Sequence, residues 1–202
     1  MKRPLEIVDL GGTVAFWAGW GIGAEDGMRI TLINNHQIDP TNRGSINPFP
    51  FITDRLADAT ALSKDDFRGY DLVFSNSFLE HLESPATQAR LAGAIVESGT
   101  AYFIQVPNKS SPVDPHFPSP FVPFFALYPD WLRARILTVG AFGSGSRSPS
   151  LAGARTRMRY YNPIGRRELE VLFPNAAITM EKPFGVPTSL LATHGGAGVS
   201  RS

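Results

Sequence analysis

The chain has 202 residues, 43% hydrophobic and 18% charged, a globular composition with enough apolar mass for one ordinary core. Nineteen Lys and Arg against 18 Asp and Glu give a formal charge of +1, so nucleic acid is not an expected partner. The absence of cysteine excludes a disulfide scaffold and a thiolate zinc site, and no apolar run approaches the ~18 residues of a membrane span. The start, Met1-Lys2-Arg3-Pro4, is not followed by the apolar stretch of a signal peptide, so a cytoplasmic location is the default expectation.

Residues 5–12 read as a buried strand that stops in a tight turn, Asp9-Leu10-Gly11-Gly12-Thr13. A short helix is expected to begin near Thr13, with Trp17 and Trp20 on one face as core or interface packing. Arg29 to Asn35 predicts a second strand ending in two amides, and 39–50 predicts a loop. Phe51 to Ala57 predicts a third strand leading to Asp58-Ala59-Thr60. Ser63 and Asp66 have the spacing of a capped helical turn. Tyr70 to Phe74 predicts a fourth strand running into Ser75-Asn76-Ser77. Pro85 opens a helix with Leu91, Ala92 and Ile95 on one face, and Gly99 ends it. Thr100 to Val106 predicts the fifth strand.

Most of the 17 prolines fall beyond that point, and 107–124 can be neither regular helix nor central strand. Asp130 to Leu137 predicts a helix, Gly140 to Gly153 a loop, and Arg155, Arg157 and Arg159 alternate as on a strand face. A helix with Pro163 first and Leu172 last is expected next. Two closing strands follow at 176–182 and 187–193, then a Gly/Ser-rich tail, 194–202. The alternation predicts an α/β fold: a Rossmann-like, doubly wound sheet of seven strands, mostly parallel with an antiparallel closing strand. It predicts one domain over 1–193, with an acceptor-site insertion at about 107–160.

In such a sheet, ligands sit outside the carboxyl ends of the strands. The order Asp-x-Gly-Gly, then Asp58-Ala59-Thr60, then Tyr70-Asp-Leu-Val-Phe-Ser-Asn-Ser-x-Leu-Glu-His-Leu82 resembles the class I S-adenosylmethionine-dependent methyltransferases of the type 11-like, small-molecule kind. The resemblance covers about 5–106 and, more loosely, 162–193. It implies that Gly11, Gly12 and Thr13 lie against the methionine part of the cofactor, with Asp9 orienting the turn. Asn34 or Asn35 stands where the family places an acid on the ribose hydroxyls. Asp58 accepts from the adenine amino group beside Ala59 and Thr60, and Ser75 and Asn76 line the methionine end. The sequence departs from the family in having Val14-Ala15 for its third glycine and an amide for its strand-two acid. It also begins at strand one, which suggests a homodimer or the Trp17/Trp20 segment as cover for the sheet.

The reaction implied is displacement at the sulfonium methyl, with O-methylation of a small molecule or saccharide as the working expectation. Glu80, His81 and His116 are the candidates for taking the acceptor's proton. Glu80-His81 also resembles a metal-binding segment of the quinone-pathway O-methyltransferases, which implies Mg2+ there, with Asp114 or Asn108 as further ligands. Rival readings are N- or C-methylation, a non-catalytic binding protein of the same fold, and a dehydrogenase. The last is disfavoured by the incomplete Gly-x-Gly-x-x-Gly spacing.

Overall fold

The computed structural model describes residues 3–35, 49–113, 122–139 and 148–195. Seven strands form one sheet: β1 (Leu5–Leu10), β2 (Met28–Asn34), β3 (Ile52–Leu56), β4 (Leu72–Asn76), β5 (Ala101–Pro107), β6 (Ala177–Glu181) and β7 (Ser189–His194). Their order is β3-β2-β1-β4-β5-β7-β6, mostly parallel with antiparallel closing strands, as the sequence predicts. The chain divides into two compact units, one of 1–78, 89–104 and 193–202, the other of 79–88 and 105–192.

In the first unit, β1 pairs in parallel with β2 and with β4, so Asp9 stands beside Leu32 on one side and Phe74 on the other. A central parallel strand is covered on both faces and therefore reads as a continuous apolar run. Ile7, Val8 and Leu10 are buried accordingly, as are Ile30, Leu32 and Ile33 of β2. β3 lies at the sheet edge, and only Ile52 of it is buried. Helix α1 (Val14–Gly19) starts where Thr13 Oγ1 accepts from Phe16 N at 3.3 Å. Helix α2 (Pro85–Ser98) buries Leu91, Ala92 and Ile95. It stops at Gly99, whose φ of +72° suits glycine alone. The capped turn at Ser63 and Asp66 forms as expected, as a 3₁₀ turn over Lys64–Phe67.

Trp17 and Trp20 do not share a face. Trp17 is buried, whereas Trp20 follows the last helical residue and is 71% exposed. α1 is too short to carry both onto one stripe.

In the second unit, helices α3 (Asp130–Val139) and α4 (Leu151–Arg159) enclose a small core of Phe125, Ala134, Leu137, Ala154, Met158 and Tyr161. α4 corrects the expected strand face of Arg155, Arg157 and Arg159: Ser150 Oγ accepts from Gly153 N and starts a helix there. Helix α5 (Arg166–Leu172) begins three residues after Pro163, not at it. Ile164 first bridges to Asn108, and Glu168 Oε2 then accepts from Gly165 N at 2.6 Å. The expected loop at 39–50 falls mostly outside the described residues. So do residues 114–121 of the proline-rich run and most of the Gly/Ser-rich tail.

Candidate functional site

The first unit gathers the sequence-predicted cofactor residues at the carboxyl ends of β1 to β4. Gly11 follows β1 with φ +75°, which disfavours any side chain, and its N–H donates to Ile33 O at 2.9 Å. A Cβ on Gly11 would fall 2.3 Å from Phe78 Cδ2, and one on Gly12 would fall 1.8 Å from Asp9 Oδ2. The close approach that these glycines permit is therefore made by the protein's own side chains.

Asp9 is 1% exposed, and its Oδ2 accepts from Trp17 Nε1 at 2.8 Å. Its Oδ1 is buried with no hydrogen-bond partner among the described residues. Burial pushes the carboxyl up to about 7, against the opposing pull of the Trp17 bond. Asn34 Nδ2 donates to Gly12 O at 3.1 Å. A carboxylate cannot donate, so the amide ties down the turn in a way that the family's usual acid could not. Asn35 is exposed at the end of the same segment. Thr13 spends its hydroxyl on the α1 cap.

Asp58 Oδ1 accepts from both the backbone N and the hydroxyl of Thr60, at 2.8 and 2.7 Å. The Thr60 hydroxyl first, then its N–H, hold the Asp58 carboxyl below the usual range. Ala59 is buried beneath this turn. Ser75 is wholly buried, and its Oγ has no partner among the described residues. Asn76 Oδ1 accepts from Ser77 Oγ at 3.3 Å, and Ser77 has φ +54°, a conformation that costs a non-glycine residue about 1 kcal/mol.

Glu80 and His81 belong to the second unit. Glu80 is fully buried, and His81 Nε2 lies 3.9 Å from Glu80 Oε1. His81 Nδ1 is 3.2 Å from Tyr160 O, and with Nδ1 donating there Nε2 is the basic nitrogen. The turn that carries the pair is clamped. Asn162 N donates to Glu80 O at 2.6 Å, Asn162 Nδ2 to Leu82 O at 2.7 Å, and Gln88 Nε2 to Leu79 O at 3.0 Å. No three His, Cys, Asp or Glu groups cluster for a metal among the described residues. His116 and Asp114 lie outside those residues. Trp17, Phe78, Gln88 and Asn162 all shape these segments, yet only Trp17 stood out in the sequence, as packing and not as the partner of Asp9.

No family model matches the chain, and no curated protein matches it in sequence. Solved structures do match it. The S-adenosylmethionine-dependent methyltransferase SibL, in its apo form, superposes with a TM-score of 0.56 at 15% identity, over 96% of this chain and 51% of its own. The 1,6-didemethyltoxoflavin-N1-methyltransferase of Burkholderia thailandensis, solved with 1,6-didemethyltoxoflavin and S-adenosylhomocysteine, gives 0.53 at 14% identity, over 95% and 70%. The fold is that of the class I S-adenosylmethionine-dependent methyltransferases. A Rhodobacter sphaeroides protein provisionally described as a zinc-dependent alcohol dehydrogenase gives 0.58 at 15% identity, over 96% and 84%. The likeness therefore establishes the fold and not the chemistry. The chain spans about half the length of several structures that it matches. Among the described residues, no helix is long and apolar enough to cross a membrane.

Proposed function

We propose that the chain is an S-adenosylmethionine-dependent methyltransferase, type 11-like, that methylates a hydroxyl of a small molecule or saccharide. The observation that carries the reading is the convergence of four adjacent strand ends in the first unit: Asp9–Thr13, Asn34, Asp58–Thr60 and Ser75–Asn76. The buried Ser75 hydroxyl, with no partner among the described residues, fits a polar ligand there.

S-adenosylmethionine, when bound, supplies a methyl group already activated on sulfur. The chain's part is to bind and align. Asp9 and Asn34 hold the turn so that the backbone of Gly11 to Thr13 can line the methionine end with Ser75 and Asn76. Asp58 accepts from the adenine amino group, Ala59 and Thr60 lie alongside, and Asn35 serves the ribose hydroxyls. Residues 107–160 supply acceptor recognition, for which the exposed rings of Trp131 and Tyr160 suit a sugar face. His81 Nε2 and His116 are assigned to the acceptor's proton, with Glu80 beside His81. The Glu80-His81 pair is assigned to proton handling; among the described residues no third acid or His group joins it.

A second reading has its own support. Phe78 and Asp9 already fill the space beside Gly11 and Gly12, which suits a protein that keeps the fold without turnover. Calorimetric titration with S-adenosylmethionine, S-adenosylhomocysteine and NAD separates the cases. Binding of the first two and not NAD is expected, and no binding of either sinks the proposal. Transfer to glycosides or phenols but not amines is expected from O-methylation. Transfer to amines alone gives the N-methyl alternative, and binding without transfer leaves the second reading. His81→Ala and His116→Ala should each lower turnover by ~10², and turnover unchanged by EDTA would remove Mg2+ from the Glu80-His81 pair.

A further inference from the structure

The second unit carries a partly open cavity of about 500 Å³, inside the range of roughly 300–1,000 Å³ usual for small-molecule sites. Its walls are Tyr161, Leu172 and other apolar groups, interrupted by Arg133, Lys109, Arg167 and Glu168. Lys109 Nζ is paired with Glu168 Oε1 at 2.9 Å, which leaves the guanidiniums of Arg133 and Arg167 as the other positive charges of the wall. Arg133 is the unusual one. Its side chain is only 13% exposed, and its Nη2 donates to Asp130 Oδ1 at 2.5 Å. Asp130 itself is 83% exposed, so that pair is a weak tether. Arg133 Nε and Nη1 are buried and have no acceptor among the described residues.

Buried polar groups are normally satisfied, and a charged one most of all. An arginine that the protein's own acceptors hold at only one of its three nitrogens is able to turn the others onto an acceptor brought from outside. Guanidinium matches the planar oxygens of a carboxylate. The charged Glu168 carboxylate on the same wall weighs against a dianion, and the apolar remainder favours a hydrocarbon body.

We propose that this cavity binds a small organic monocarboxylate with an apolar body, anchored by Arg133 and assisted by Arg167. The site lies wholly within the second unit and stands whether or not the chain transfers methyl groups. The probes are 3-phenylpropionate, its amide and inorganic phosphate, titrated calorimetrically into the full chain. The acid should bind at least tenfold more tightly than either of the others. Arg133→Met should reduce the acid to the affinity of the amide. The ligand-free variant should melt no lower than wild type, because it removes donors that lack acceptors. No heat from the acid up to 10 mM, an amide or phosphate that binds as well as the acid, or an Arg133→Met variant that keeps full affinity would each overturn the proposal. If Arg133→Met does not fold, Arg167→Gln decides: a threefold or greater loss for the acid alone supports the site, and unchanged affinity overturns it.

Discussion

The glycine turn of the first unit and the arginine cavity of the second handle a buried charge in opposite ways. Asp9 is locked at one oxygen. Its Oδ2 is bonded to Trp17, and Gly12 lies so close that a methyl group cannot enter between them. Arg133 is held by one bond to an exposed partner and has two buried donors with no acceptor among the described residues. The first arrangement fixes a backbone, and the second leaves a side chain available. Packing density around a charge, more than the charge itself, separates a scaffold from a socket.

The comparison breaks most visibly at Asp9. Its folded carboxyl sits at about 7 against an unfolded value of 3.8, so the folded state holds its proton more tightly. The contribution of Asp9 to stability is therefore greatest below about pH 4, falls as pH rises through the window up to about 7, and levels off above it. Asp9→Asn keeps an acceptor for Trp17 and removes the ionisable group. The variant should exceed wild type in stability at pH 8 by on the order of 4 kcal/mol and match it near pH 4, read from urea melts at both pH values. A gap independent of pH would show that Asp9 ionisation is not the cause.

Gly12→Ala comes next, at a cost of about 3 kcal/mol, because the new Cβ meets a tethered carboxylate that cannot step aside. Adding Asp9→Ala in the same chain should recover part of the loss, and no recovery would place the clash elsewhere. In the second unit, Asn162→Ala removes bonds to the Leu82 and Arg159 carbonyls and should cost about 2 kcal/mol. Amide exchange at 79–82 should accelerate with it, and unchanged exchange would mean that the clamp is not what holds Glu80-His81. The smallest effect belongs to Lys109→Met, which breaks a largely solvated pair with Glu168. It should cost less than about 1 kcal/mol and nothing in 1 M salt.

Much of the first unit was legible in the sequence for a physical reason. Buried parallel strands are short apolar runs, and β1, β2, β4 and β5 stop at glycines, amides or prolines that cannot continue them. α2 carries its own punctuation in Pro85 and Gly99. α4 was not legible, because a helix that buries only Ala154 and Met158 amid three arginines has almost no apolar periodicity to read. The glycine turn was legible as a turn but not in what fills it. Phe78 reaches Gly11 from 67 residues away, and local pattern carries no record of such a contact. The Asn162 clamp on 79–82 is equally long-range. Arg133 looked like any solvated helix charge, since nothing in its neighbours in sequence announces its burial.

The bond between Trp17 and Asp9 also makes the glycine turn optically visible. Trp20 and Trp131 are 71% and 65% exposed and emit as hydrated indoles, whereas Trp17 is 7% exposed. The blue edge of the fluorescence spectrum therefore belongs to the one indole whose N–H touches the titrating carboxylate. Following that edge between pH 4 and 8 reads the charge state of Asp9 in the native protein, without a label, a ligand or a mutation.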